Sequence, residues 1–116
     1  MHNIQDLKIW HRAIELCTLI YKISAEFPSD ERFGLISQIR RSCVSVASNI
    51  AEGAGRNTNG EFIQFLGIAN GSAYELQTQV IIAQKLGLFS TDSVLVLDKI
   101  DEIQKMCYKL QQSLKK

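Results

Sequence analysis

Apolar residues recur along this chain in steps of three and four, the period of a helix with one buried face, rather than alternating as along a half-buried strand. In the first segment the stripe is Ile9, Ala13, Leu16, Ile20, Ile23 and Phe27. A second stripe beside it, Leu7, Trp10, Ile14, Cys17 and Tyr21, makes the apolar face unusually wide. Such a helix is expected to be buried on two sides, inside its own bundle and against another subunit, with Trp10, Ile14 and Tyr21 at the subunit interface. The second segment repeats Ile36, Ile39, Cys43, Val46 and Ile50. The third runs Phe62, Leu66, Ala69, Ala73, Leu76, Val80 and Ala83, and the fourth Val96, Ile100, Ile103, Cys107, Leu110 and Leu114.

Breakers separate these stripes. The single proline, Pro28, with Ser29-Asp30-Glu31 behind it, closes the first helix and places acids in the first turn of the next. Gly53-Ala54-Gly55 stops the second helix, and Thr58-Asn59-Gly60-Glu61 reads as a capping box opening the third. Leu86-Gly87-Leu88-Phe89-Ser90-Thr91 turns the chain again. The predicted helices cover approximately 6–27, 29–54, 58–86 and 91–114 of one domain spanning 1–116. Short connections force antiparallel neighbours, so the expected fold is all-α, an up-down-up-down antiparallel four-helix bundle.

A polar stripe accompanies the apolar one on the second helix: Gln38, Arg41, Ser45, Ser48 and Glu52. On the third, Ser72, Glu75 and Gln79 continue a line through Phe65 and Ile68. Folded antiparallel, the two helices bring Arg41 opposite Glu75, Ser45 opposite Gly71-Ser72, and Gln38 near Gln79. Asn49 falls beside Gly67, where a missing side chain lets the backbones approach. The expected product is a structural polar seam of Gln38, Arg41, Ser45, Asn49, Glu52, Ser72 and Glu75. A partly buried Arg41–Glu75 pair would fix register more than add stability, and a free Arg41 reaching phosphate is the alternative.

Chemistry is sparse. His2 and His11 are the only histidines, and neither has an acid or cysteine at metal-ligand spacing. The paired Glu-x-x-His motifs of a di-iron bundle are absent, as is the GK[ST] that would make Gly53-Ala54-Gly55-Arg56 a phosphate loop. Ser42, Ser45 and Ser48 have no His or Lys base on their helix. No metal, cofactor or enzymatic activity is implied. Cys17, Cys43 and Cys107 are odd in number and lack CxxC spacing, which suits reduced core thiols in the cytoplasm. The N-terminal Met1-His2-Asn3-Ile4-Gln5-Asp6 has no basic start or apolar run, and no stretch approaches the length of a membrane span.

Net charge is only +1 over 116 residues, so any affinity for nucleic acid must come from local clustering. Arg32, Arg40, Arg41 and Arg56 make the second helix and its following loop basic, opposed there only by Glu52. Beyond Glu102, the lysines 105, 109, 115 and 116 meet no acid. Lys105 and Lys109 share a face one turn apart. Either this is a solvated surface with a cationic tail, or it is a phosphate-binding surface with strong salt dependence and little sequence preference.

Leu7-Lys8-Ile9-Trp10 with Ala13, then Phe27-Pro28-x-x-Glu31-Arg32-Phe33-Gly34-Leu35, resembles the opening of the bacterial 23S rRNA intervening-sequence proteins. Gln38-x-x-Arg41-x-x-x-Ser45, Ser48-Asn49-Ile50-Ala51-Glu52-Gly53 and Gly71-Ser72-x-x-Glu75-Leu76 are similar to that family's central signature. The match spans nearly the whole chain in order. The resemblance implies a four-helix subunit in a ring-like homopentamer. It also implies kinship with the accessory proteins of diversity-generating retroelements, which bind nucleic acid through positive surfaces of the ring. The signature coincides with the polar seam and marks fold rather than a binding site. The expected function is therefore a non-enzymatic, cytoplasmic, oligomeric protein associated with RNA or DNA through Arg40, Arg56, Lys105 and Lys109. The alternative is a scaffold for a protein partner that binds no nucleic acid.

Overall fold

The computed structural model describes residues 1–89 and 93–115, apart from the side chains at positions 32 and 33. Four long helices carry the chain: α1, Lys8–Ser24; α2, Ser37–Ala54; α3, Asn59–Lys85; and α4, Ser93–Leu114. A short 3-10 turn, Ile4–Asp6, precedes α1. Asn3 caps that turn by accepting the backbone N–H of Gln5, and Leu7 is extended, so α1 begins at Lys8, two residues later than the expected start at 6.

The link from α1 to α2 departs most from expectation. The first helix stops at Ser24 rather than 27, and residues 29–36 do not open α2. Ser29–Glu31 forms a 3-10 turn and Arg32–Ile36 a wide turn in which Gly34 leaves helical geometry, at φ −103° and ψ −106°. Helix α2 starts only after it. The fourth helix was expected from 91, a position outside the described residues.

Caps set the ends of α3. Thr58 Oγ1 accepts from the Glu61 N–H at 3.2 Å and donates to the Glu61 carboxylate at 3.1 Å. Glu61 thus reaches the threonine hydroxyl, not its backbone N–H, so this is half of a reciprocal capping box. At the other end Gly87 takes φ +71°, while its N–H donates to Gln84 O and that of Leu88 to Ala83 O. Those two bonds make a Schellman closure, which needs a left-handed residue where glycine stands.

Each helix packs on two neighbours in a closed circuit, α1 on α2, α2 on α3, α3 on α4 and α4 on α1. Cross-helix bonds show the antiparallel order: Arg40 to Ser24, Ser45 to Ser72, and both Gln104 to Gln77 and Gln111 to Ile63. The bundle measures 46 × 22 × 20 Å. The predicted stripes converge at its centre, where Ile50, Leu66, Leu76, Val80, Val96, Ile100 and Cys107 have no exposed surface. Ile23 and Leu110, each one step before the buried end of its stripe, are only partly buried against that core. No described helix is long and apolar enough to cross a membrane.

Candidate nucleic-acid interface

On α4, Asp101, Lys105, Tyr108 and Lys109 recur at three- and four-residue spacing and so share one outer face. Asn70 and Tyr74 face them from α3, and the antiparallel register fixed by Gln104 Nε2 donating to Gln77 Oε1 at 2.9 Å sets the two rows side by side. Between them opens a cleft of about 390 Å³, with Gln104 in its lining. Tyr74 is 56% exposed and Tyr108 61%, so both side chains stand largely in solvent. The Asn70 Oδ1 is buried and has no hydrogen-bond partner among the described residues.

The two lysines of this cleft differ. Lys105 Nζ lies 2.9 Å from Asp101 Oδ2, and this hydrogen bond to the carboxylate raises the ammonium pKa above its ordinary value. Its charge is therefore secure but half cancelled locally. Lys109 is exposed and makes no ion pair among the described residues. The outer face of α4 is acidic toward its start, at Asp98, Asp101 and Glu102, and basic beyond it. Arg12, which the sequence did not single out, bridges Glu15 at 3.2 Å and Glu102 at 3.4 Å, binding α1 to the acidic end of α4.

Arg56 stands at the α2–α3 turn, its guanidinium 4.8 Å from the Phe65 ring centre and 4.0 Å from Glu61 Oε2. The last turn of α4 shares this end of the bundle, because Gln111 Nε2 donates to Ile63 O at 3.1 Å. Arg40 does not join these cations. It sits about 21 Å before the end of α2 that leads to Arg56, at 1.5 Å per residue, and is turned into the α1–α2 groove. There Nε donates to Ser24 Oγ at 2.9 Å, Nη2 donates to Tyr21 O at 3.2 Å, and the guanidinium lies 4.6 Å over the Tyr21 ring. Arg40 is a tie on the end of α1, which ends three residues earlier than the sequence suggested.

The seam is assembled with shifts. Ser45 and Ser72 hydroxyls meet at 2.9 Å, and Asn49 Nδ2 donates to Ser45 O and Oγ at 2.8 and 3.0 Å. Glu75 accepts from the buried Ser42 at 3.3 Å, whereas Arg41 is exposed and forms no ion pair with it. One residue of helix is 100° of rotation, enough to move the partnership from Arg41 to Ser42. Gln38 and Glu52 are exposed, and the buried Oε1 of Gln79 has no partner among the described residues. Asn49 bonds within its own helix rather than beside Gly67, where an added methyl group would meet only the Gln111 amide, at 3.6 Å. The close approach falls at Gly53 instead, against Phe62 and Phe65.

Of the three residues expected to face another subunit, Ile14 and Tyr21 are exposed and Trp10 partly buried, with Arg40 covering part of Tyr21. Helix α3 adds exposed Ile68 and Ile82, and the turn after it Leu86, apolar positions outside the core stripe. Packing of α1 on α2 brings two of the cysteines together: Cys17 Sγ donates to Cys43 O at 3.0 Å. Their thiols interact, which lowers the Cys17 pKa and raises that of Cys43. Burial alone pushes Cys107 up to about 12. Among the described residues no group of three His, Cys, Asp or Glu side chains could hold a metal ion.

A protein of unknown function from the S23 ribosomal protein family of Bacteroides thetaiotaomicron has a crystal structure similar to this one. The TM-score is 0.82 at 20% identity, covering 89% of this chain and 97% of that one. At that identity the likeness speaks to the fold. No curated protein matches the sequence. The model of the 23S rRNA-intervening sequence protein family matches residues 5–109, from the turn before α1 to the cleft lysine Lys109. The chain belongs to the 23S rRNA-intervening sequence protein family.

Proposed function

We propose that this protein is a non-enzymatic, cytoplasmic homo-oligomer that associates with RNA or DNA through the α3–α4 cleft and the cations around it. The observation that carries this reading is the pairing of two exposed tyrosines, Tyr74 and Tyr108, with Lys105 and Lys109 in one cleft. Aromatic faces beside a cationic track are the elements with which proteins hold nucleic-acid chains. Arg56 and Lys115 extend the positive surface toward the α2–α3 end. With a net charge of +1, a single subunit carries little long-range attraction. Repetition around a ring-like oligomer, a pentamer in this proposal, multiplies the contacts and supplies avidity.

Assembly draws support from apolar surface that one subunit leaves in water: Ile14 and Tyr21 on α1, Ile68 and Ile82 on α3, and Leu86 just after it. The same surface favours a second reading, a scaffold for a protein partner. Fluorescence anisotropy with a structured 23S rRNA fragment and a matched DNA duplex, at low and near-physiological salt, separates the two. Binding that weakens steeply with salt and falls in an Arg56→Ala/Lys105→Ala/Lys109→Ala variant supports nucleic-acid association. Absence of binding at low salt leaves the scaffold. Light scattering tests assembly, and a monomer mass at micromolar concentration removes the ring.

A further inference from the structure

We infer that the α3–α4 cleft holds an unpaired nucleotide of a single strand, with its base against Tyr74 and Tyr108 and its phosphate at Lys109. This rests on the nucleic-acid reading above and narrows it to one form of ligand. Three features of the cleft point the same way.

The first is the aromatic surface. Tyr74 and Tyr108 are more than half exposed, come from different helices and line the same space. A ring face in water gains from stacking on a base, and only a base free of its own stack can offer its face. A duplex keeps its bases stacked inside and presents phosphates and groove edges, for which tyrosine faces have no use.

The second is Asn70, whose buried Oδ1 lacks a partner among the described residues. An acceptor closed off from water is costly, and turning the Asn70 amide into the cleft would bring it to a donor there. Every nucleobase carries an N–H on its pairing edge, and that edge is available only when unpaired. One acceptor cannot tell the bases apart, so the site tolerates any of them.

The third is the division between the lysines. Asp101 engages Lys105 at 2.9 Å, and its carboxylate would repel a second anion close by. Lys109 is the cation left to meet a phosphate. One such contact contributes about 0.7 to the salt slope for a single strand. The volume, about 390 Å³, lies in the range of pockets that hold small ligands and does not call for a longer groove.

The test uses the full-length protein and fluorescein-labelled probes: a uridine dodecamer, a thymidine dodecamer and an RNA duplex of equal length. The single strands are expected to bind more tightly than the duplex. Tyr108→Ala should weaken them roughly ten-fold or more, Tyr108→Phe should restore them, and duplex binding should not change. Nitration of Tyr108 by tetranitromethane in the unaltered protein, slowed by the single strands and not by the duplex, gives a readout independent of any variant's folding. Equal binding of strand and duplex, weakened by Lys109→Ala but not Tyr108→Ala, overturns the unpaired-nucleotide site while sparing nucleic-acid association. Failure of every probe to bind at low salt overturns both.

Discussion

Gly53 on α2 lies so close to α3 that a methyl group there would stand 2.6 Å from the Phe65 Cβ and 2.9 Å from Phe62 Cδ1. Neither atom is the free end of a flexible chain, so the helices would have to part. Gly53→Ala is expected to lose about 1–3 kcal/mol to overpacking, more than the roughly 1 kcal/mol gained in helix propensity. Gly71, mid-way along α3, has nothing within 4 Å of the same position. Gly71→Ala should therefore stabilise, by up to about 1 kcal/mol. Thermal melts of the two variants should move in opposite directions, and a shared direction would refute the assignment of the close approach to Gly53.

Arg40 ties the end of α1 to α2 through Ser24 and Tyr21. Its removal leaves the buried Ser24 hydroxyl without that donor, so Arg40→Ala should cost about 1–3 kcal/mol in urea denaturation. Arg41→Ala, one residue on and exposed, should stay within about 0.5 kcal/mol. Neither change should alter nucleic-acid affinity by more than a small factor. A strong loss of binding with unchanged stability in Arg40→Ala would return that residue to the interface.

Burial raises the Cys107 thiol from 9.0 to about 12, which links stability to alkaline pH. Between those values the unfolded chain gives up this proton and the folded chain keeps it. The contribution is thus absent below pH 9 and destabilises increasingly as the pH rises above it, levelling off near 12. Cys43, also raised, adds in the same direction. Denaturation midpoints across that range should fall for the natural sequence and less steeply for Cys107→Ala, whatever cavity the substitution leaves. Parallel slopes for the two proteins would show that Cys107 ionises freely.

Cys17 is partly exposed and its pKa is lowered, chiefly by the hydrogen bond with Cys43. Thiolate fraction and access govern alkylation, so iodoacetamide under native conditions should label Cys17 first. Cys43 and Cys107, buried and raised, should be labelled mainly after unfolding. Peptide mass mapping over time decides the order, and early labelling of Cys107 would contradict the packing of α4.

The stripes along the sequence were enough for the elements and most of the core, because helical burial depends on spacing that a linear chain already displays. From Phe62 to Ala83 every predicted core position is buried. Where the prediction failed, rotation or termination was at stake. The turn around Gly34 delays α2 to Ser37, and an error of one residue exchanges Arg41 for Ser42 as the partner of Glu75. Choosing between Gly53 and Gly67 for the close approach likewise depends on the phase of two helices, which neither sequence carries alone.

Spacing along the chain sufficed for four amphipathic helices with a shared apolar core, few reactive groups and cations late in the fourth helix. Which of those cations act together was settled by packing. Packing spends Arg40 on the end of α1, pairs Lys105 with Asp101 and leaves Lys109 unpaired among the described residues. Tyr74 and Tyr108 lie on separate helices and outside the core stripes, so nothing in their local pattern distinguishes them from ordinary surface aromatics. Their common cleft exists because antiparallel packing of α3 on α4 sets them beside one another. Local periodicity fixes which face of a helix is buried, whereas the neighbours of an exposed face are set by contacts distant along the chain.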